Sequence, residues 1–184
     1  ELQHMLKTAV GCGRAVSVRY PRGAGVGVPL DENPLTLPIG KGEILFDPPD
    51  AALAVVAIGA CVHPALDAAE LLRAEGIPVR VINARFVKPL DGELICAAAR
   101  ELKRVITVEE NALMGGFGSA VLELFAEKGV SGVSVRRLGI PDEFAPHATQ
   151  KELRRMYGID AAGVAAAVRE VWMENRGTAP LVPK

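Results

Sequence analysis

The 184-residue sequence lacks long hydrophobic runs and carries almost no net charge. Runs such as residues 53–58 fall far short of the roughly 20 apolar residues of a membrane-spanning helix, so no membrane partner is predicted. The 21 Lys and Arg residues nearly balance the 22 Asp and Glu residues, leaving a net charge of −1. This balance gives no reason to expect nucleic acid or an anionic lipid surface as a partner.

Cysteine is also scarce, and its spacing carries no metal or disulfide signature. Cys12, Cys61 and Cys96 are odd in number and form no C-x-x-C pair, which predicts neither a disulfide framework nor a zinc site. We expect three small, apolar, reduced side chains in a cytoplasmic protein. With 49% hydrophobic residues and no Gly-X-Y repeat, the chain is neither disordered nor collagen-like.

The first 50 residues differ in pattern from the rest. Apolar residues at helical spacing predict a helix over residues 2–10, and residues 16–20 are typical of a short strand. Residues 23–50 are rich in proline and glycine and predict a linker, with an antiparallel edge strand at 42–46. Because the chain opens at Glu1 within a helical pattern and without an initiator Met, we expect it to be a piece of a longer protein.

From residue 51 onward, buried strands alternate with amphipathic helices. The predicted strands cover 53–58, 78–83, 104–108 and 133–138, and the predicted helices cover 62–75, 91–102, 115–128, 149–156 and 160–172. Strands that are apolar on both faces and alternate with helices indicate a mostly parallel sheet covered on two sides. Right-handed crossovers then predict a three-layer α/β sandwich.

One candidate binding site follows residues 16–20, where Arg19, Tyr20 and Arg22 precede a glycine-rich stretch. Ligands of α/β proteins bind at the carboxyl ends of strands, and two guanidinium groups beside a flexible turn offer a fork for a phosphate. The alternative is that both arginines are solvated or pair with a carboxylate of another domain.

A second candidate is the pair Glu109 and Glu110, followed by glycines at 115, 116 and 118. Such a strand end could bind an anion through free N–H groups or supply an acid and a base. We favour a packing and interface role, because the two carboxylates repel anions and the glycine spacing matches no nucleotide-binding fingerprint.

The other polar residues give weaker signals. Arg85 and Lys88 follow a predicted strand and could bind an anion or take part in salt bridges. His4, His63 and His147 have no second ligand at metal-binding spacing, and we do not expect them to be catalytic. No serine, Ser119 included, is flanked by a plausible base, so the sequence contains no complete active site.

Several strings nevertheless resemble one enzyme family. They are SVRYPRGAGVGV at 17–28, LPIGKG at 37–42, ARFVKPLD at 84–91, VEENALMGGFGS at 108–119, LGIPDEF at 138–144 and DAAG at 160–163. In this order they resemble the 1-deoxy-D-xylulose-5-phosphate synthases of the transketolase superfamily, and the resemblance extends to about Trp172.

The resemblance implies a division of the chain. Residues 1–27 would be the tail of a pyrimidine-binding domain, 28–50 a linker with an edge strand, 51–172 a transketolase C-terminal-like domain, and 173–184 a tail. It also implies a homodimeric enzyme that uses thiamine diphosphate and Mg²⁺ to join pyruvate, with loss of CO₂, to D-glyceraldehyde 3-phosphate. The product supplies isoprenoid, thiamine and pyridoxal synthesis.

The family's functional residues map only in part onto this chain. Arg22 corresponds to the arginine that contacts the phosphate of the aldehyde acceptor, while Arg19 and Tyr20 would shape that site. The motif that holds Mg²⁺ and diphosphate and the glutamate that activates the aminopyrimidine precede Glu1 in the family. We therefore expect the chain alone to be inactive, to bind no cofactor and to need the N-terminal portion of the same protein.

Two other interpretations stay open at this stage. The chain could be the C-terminal domain of a 2-oxoacid dehydrogenase β subunit or of a transketolase, although the YPRGAGVG string argues against both. It could also be a non-catalytic α/β interaction module. An opening helix and strand without partners argue against that module.

Overall fold

A computed structural model describes residues 1–23, 25 and 27–174 of the chain. They contain six α-helices, a short 3-10 helix at Gly59–Cys61 and five strands. The helices are α1 (Leu2–Gly11), α2 (Val62–Ala74), α3 (Gly92–Leu102), α4 (Phe117–Glu127), α5 (Gln150–Met156) and α6 (Ala161–Glu174). The strands are β1 (Glu43–Phe46), β2 (Leu53–Ala57), β3 (Val79–Asn83), β4 (Arg104–Ala112) and β5 (Ser134–Ile140). None of the helices in these residues combines the length and apolar character that crossing a bilayer requires.

The strands form a single sheet in the order β1-β3-β2-β4-β5. The pairs β3–β2, β2–β4 and β4–β5 are parallel, and β1 pairs antiparallel with β3 at the edge. This confirms both the mostly parallel sheet and the antiparallel edge strand. Since all four parallel strands point the same way, their carboxyl ends share one edge of the sheet, which is where α/β proteins bind ligands.

Each face of the sheet is covered by a separate hydrophobic core. Along β2, Leu53, Val55 and Ala57 pack with α2 and α6, whereas Ala54 and Val56 pack with α3 and α4. All five residues of β2 are almost completely buried, as expected for a central parallel strand. Two helical layers around a sheet confirm the three-layer α/β sandwich.

Side-chain caps fix where three helices begin. Asp91 accepts a hydrogen bond from the N–H of Leu94 at the start of α3, and Asp160 accepts one from the N–H of Gly163 at the start of α6. Thr149 and Glu152 form a reciprocal capping box at α5. The predicted starts of these helices, including the caps at Asp91, Thr149 and Asp160, are confirmed.

Several predicted elements differ from the structure: the strand predicted over 104–108, for example, continues to Ala112. Residues 16–20 do not form a strand: no neighbouring backbone pairs with them among the described residues, and Val16 and Tyr20 are 50% and 68% exposed. A strand without a ladder partner has nothing to hold it. The tail predicted over 173–184 begins too early, because Met173 and Glu174 complete α6; residues 175–184 lie outside the described residues.

The predicted linker is tied back to α1 by hydrogen bonds. The N–H groups of Leu35 and Leu37 donate to His4 Nδ1 and Thr8 Oγ1 at 2.9 and 2.8 Å, and Lys7 Nζ donates to the carbonyl of Pro34. This part of the linker therefore lies along the opening helix. The division of the chain at residue 27 stays a prediction.

Candidate functional site

The segment that carries Arg19, Tyr20 and Arg22 lies against the carboxyl edge of the sheet. The guanidinium of Arg19 donates to Oδ1 of Asn111, near the end of β4. The side-chain amide of Gln150, the first residue of α5, donates to the backbone carbonyl of Arg22. Residues 16–20 form no strand, so the expectation that Arg22 follows a strand end is wrong. The segment instead contacts the carboxyl edge of the sheet through Asn111 and the start of α5 through Gln150.

The two arginines of this segment differ in their contacts. Both are exposed, but Arg19 is hydrogen-bonded to Asn111, whereas within the described part of the chain no hydrogen bond or ion pair engages the guanidinium of Arg22. Tyr20 between them is 68% exposed. Arg22 is therefore free to bind an anion from solution, and Arg19 helps to hold the segment.

Glu109 has a different environment from the exposed arginines. It is completely buried, and its two carboxylate oxygens accept hydrogen bonds of 2.7 Å each from the N–H groups of Phe117 and Gly118. These N–H groups belong to the first turn of α4, where no intrahelical partner exists and the helix dipole favours negative charge. Glu109 therefore caps α4, which confirms the packing role expected for it.

The glycines after β4 allow this close approach. A Cβ atom on Gly116 would lie 2.1 Å from the carbonyl oxygen of Ala112 and 2.4 Å from Oε2 of Glu109, and one on Gly118 would lie 2.6 Å from Oγ1 of Thr107. Only glycine fits at such distances. Because Glu109 already takes the N–H groups of residues 117 and 118, these groups are not available to an external anion.

Ser119 is held within the same loop. Its Oγ donates to the carbonyl of Leu113 at 2.8 Å and accepts hydrogen bonds from the N–H of Gly115 and from the guanidinium of Arg137. None of these partners is a base that could activate the hydroxyl group. These hydrogen bonds give Ser119 a structural role in the loop before α4.

Glu110 points to a different partner from its neighbour Glu109. Its Oε1 lies 2.6 Å from both Nε and Nη2 of Arg154, a residue of α5, and the two side chains are about a quarter to a third exposed. Nη2 of Arg154 also reaches Oε1 of Gln150 at 3.5 Å. This salt bridge fixes α5 to the end of β4.

Arg85 and Lys88, the third candidate pair, also differ in their surroundings. Arg85 donates to Glu1 Oε1 at 2.7 Å and forms a second ion pair with Glu43, so the salt-bridge interpretation holds for Arg85. Lys88 lines an open cleft of about 790 Å³ between α3 and α4. The cleft also contains acidic residues, and Lys41 is paired with Glu93, so the cleft does not single out an anion.

The buried cysteines are poor nucleophiles. Burial, with a further contribution from the charge of Glu110, raises the pKa of Cys61 to about 12. Burial also raises the pKa of Cys96. Since only the thiolate attacks electrophiles or binds metals, both side chains act as small apolar residues at neutral pH, as the sequence predicts.

The histidines and acidic residues do not converge on a metal site. In the described ranges, no group of three or more His, Cys, Asp and Glu side chains is arranged to hold a metal ion. His4 accepts a hydrogen bond at Nδ1 from Leu35, and its Nε2 lies 3.0 Å from Asp31, which gives it a role in binding the linker. The described residues therefore offer no preformed cluster of three or more metal ligands.

Comparison with known proteins identifies what this fold is similar to. The family model described as "Transketolase, C-terminal domain" matches residues 40–164. A 1-deoxy-D-xylulose-5-phosphate synthase of Syntrophus aciditrophicus is 57% identical over 97% of this chain, and synthase 1 of Geobacter sulfurreducens is 56% identical over 96%. The chain spans only 27% of the length of each of these relatives.

Solved structures agree on the fold. One described as "Split gene transketolase, inactive beta4 tetramer" is 36% identical, has a TM-score of 0.69 and matches 80% of this chain and 47% of its own. A transketolase of Pichia stipitis is 18% identical, with a TM-score of 0.54 over 75% of this chain and 19% of its own. Because the identity to the Pichia stipitis transketolase is only 18%, this similarity shows the fold alone.

Proposed function

Because the chain belongs to the family of transketolase C-terminal domains, we propose that it is the C-terminal part of a 1-deoxy-D-xylulose-5-phosphate synthase. The observation that carries this proposal is the identity of 57% to a synthase over nearly the whole chain. Further support comes from a synthase of Heliobacterium modesticaldum, which is 54% identical over 98% of this chain.

The proposed reaction belongs to the full-length protein. Pyruvate loses CO₂, and the remaining two-carbon unit is joined to the aldehyde carbon of D-glyceraldehyde 3-phosphate, giving 1-deoxy-D-xylulose 5-phosphate. In this family thiamine diphosphate with Mg²⁺ supplies the carbanion chemistry. The motif that holds Mg²⁺ and diphosphate in the family precedes Glu1 of this chain, and no group of three or more His, Cys, Asp and Glu side chains in the described residues is arranged to hold a metal ion. We therefore assign the cofactor to the N-terminal portion of the same protein and no step of the chemistry to this chain.

Within this reaction Arg22 binds the phosphate of the aldehyde acceptor. Its exposed guanidinium has no partner among the described residues, and its backbone carbonyl is bound by Gln150 at the start of α5. A guanidinium presents parallel N–H donors that match two phosphate oxygens. Arg19 and Tyr20 shape the same segment, Arg19 through its hydrogen bond to Asn111.

Oligomeric state and location complete the proposal. We assign a homodimer to the full-length enzyme, as the family resemblance implies. The free cysteines of the chain suit a reducing, cytoplasmic compartment.

A product assay on the full-length protein tests the proposal. With pyruvate labelled at C1 and D-glyceraldehyde 3-phosphate, we expect labelled CO₂ and a five-carbon deoxyketose phosphate in equal amounts. The second candidate is a transketolase, favoured by the 36% identity to a split-gene transketolase. A transketolase would instead use a ketose phosphate as donor and release no CO₂, which would contradict the proposal.

A further inference from the structure

A chain of polar contacts leads from β4 to the phosphate-binding segment. Glu110 on β4 binds Arg154, Arg154 reaches Oε1 of Gln150, and Nε2 of Gln150 donates to the backbone carbonyl of Arg22. Gln150 and Arg22 are 128 residues apart in the sequence. The side-chain amide thus bridges the sandwich and the segment that precedes the linker.

The two ends of the Gln150 amide have distinct partners. A backbone carbonyl can only accept a hydrogen bond, and a guanidinium can only donate one. The NH₂ group must therefore face Arg22, and the oxygen must face Arg154, as the structure has them. A Cβ on Gly23 would lie 3.1 Å from Nε2 of Gln150, so the backbone at residue 23 also packs against this amide.

The backbone of α5 holds Gln150 in place independently of this amide. The capping box of Thr149 and Glu152 stabilises the first turn of the helix, and Glu152 accepts from both the hydroxyl and the N–H of Thr149. These hydrogen bonds lower the pKa of Glu152, so it stays ionised at neutral pH. Replacing the Gln150 side chain removes a contact without removing the cap.

From these contacts we infer that Gln150 is a positioning residue for the acceptor phosphate: it anchors the backbone of Arg22 so that the free guanidinium faces the substrate. Asn111 provides a second anchor through Arg19. The inference rests on the proposed role of Arg22. It also assigns a function to Glu110, which orients Arg154 and through it the amide of Gln150.

The test compares four variants of the full-length protein. Gln150→Ala removes the amide, and Gln150→Glu keeps an oxygen for Arg154 while losing the donor to Arg22. Lys151→Ala is the matched control, because Lys151 is the next residue of α5, is exposed and has no polar partner in the described chain. Arg22→Ala serves as the reference for complete loss of the phosphate contact.

The first readout, the rate of trypsin cleavage after Arg22, does not depend on activity. The Arg22 carbonyl that Gln150 binds belongs to the peptide bond that trypsin cuts, so we expect Gln150→Ala and Gln150→Glu to be cleaved there faster than the wild type and Lys151→Ala. An unchanged cleavage rate in both Gln150 variants would overturn the anchoring, whatever the enzyme does.

The second readout is the KM for D-glyceraldehyde 3-phosphate against that for unphosphorylated D-glyceraldehyde. We expect both Gln150 variants to raise the KM for D-glyceraldehyde 3-phosphate about five- to tenfold, which is the effect of one lost hydrogen bond. The KM values for D-glyceraldehyde and for pyruvate should stay unchanged. An unchanged KM for D-glyceraldehyde 3-phosphate in Gln150→Glu, or an equal rise in the KM for all three substrates, would overturn the inference. Failure of the proposed function would show separately, as an Arg22→Ala variant with an unchanged KM for the phosphorylated acceptor.

Discussion

Oε1 of Glu109 and the backbone nitrogen of Gly118 lie 2.7 Å apart, and both are buried in the domain. This hydrogen bond joins the end of a central strand to the first turn of the next helix. It also accounts for a glutamate at a completely buried position, where an unpaired carboxylate would be strongly destabilising. The carboxylate therefore belongs to the framework of the domain, with both oxygens bound by backbone N–H groups.

Glu109→Ala is expected to lower the free energy of unfolding by about 3 kcal/mol, because two buried N–H groups lose their acceptor. Thermal unfolding of the full-length protein, compared with Glu123→Ala at an exposed position of α4, measures this effect. A Glu109→Ala variant with the stability of the wild type and a reduced kcat would contradict the capping role and point to acid–base catalysis.

The two glycines Gly116 and Gly11 are predicted to respond in opposite ways to alanine. Gly116→Ala places a Cβ 2.1 Å from a backbone oxygen, so we expect little folded protein. Gly11, the last residue of α1, has open space around it, and Gly11→Ala should be neutral or stabilising by up to about 1 kcal/mol. Soluble yield and circular dichroism check both. An equal soluble yield and an equal circular dichroism spectrum for the two variants would contradict the close packing around Gly116.

Cys61 is predicted to resist alkylation in the folded protein. Its pKa of about 12 leaves almost no thiolate at pH 8, and its side chain is fully buried. Cys12 is only half-buried and should react first. Iodoacetamide labelling followed by peptide mass spectrometry measures both rates. Labelling of Cys61 as fast as that of Cys12 would contradict the burial of this thiol.

The sandwich could be predicted from sequence because its signals are local. Continuous apolar strands such as residues 53–57 and cap residues such as Asp91 report burial and helix starts directly. The missing strand at 16–20 could not be foreseen in this way. An apolar stretch of strand length becomes a strand only when another backbone pairs with it, and pairing is a tertiary property.

The site was predicted only in part for the same reason. Arg19 and Arg22 stand out in the sequence, but nothing local indicates that Asn111 and Gln150 hold them, 92 and 128 residues away. Glu109 and Glu110 are adjacent and chemically alike, yet one caps a buried helix and the other pairs with Arg154. Successive side chains of a strand point to opposite faces of the sheet, so Glu109 and Glu110 point in opposite directions. The sequence predicts a strand only to Val108, so it does not show that both glutamates belong to β4.

The 184-residue chain by itself is predicted not to bind thiamine diphosphate with Mg²⁺. The described residues hold no cluster of three metal-ligating side chains, and neither α4 N–H group capped by Glu109 is free to contact a diphosphate. Isothermal titration calorimetry of the chain, with circular dichroism as the control for folding, measures this. Saturable binding to the folded chain would contradict the assignment of the cofactor to another part of the protein.

The most direct test of the central claim is the kinetics of Arg22→Ala in the full-length protein, with Arg155→Ala, an exposed arginine of α5, as the control. Loss of a charge-assisted contact of about 1.5–3 kcal/mol should raise the KM for D-glyceraldehyde 3-phosphate roughly ten- to a hundredfold. The KM for pyruvate should stay within about twofold of the wild type, since pyruvate has no phosphate for Arg22 to bind. An unchanged KM for the phosphorylated acceptor, or an equal rise for both substrates, would contradict the assignment of Arg22 to the acceptor phosphate.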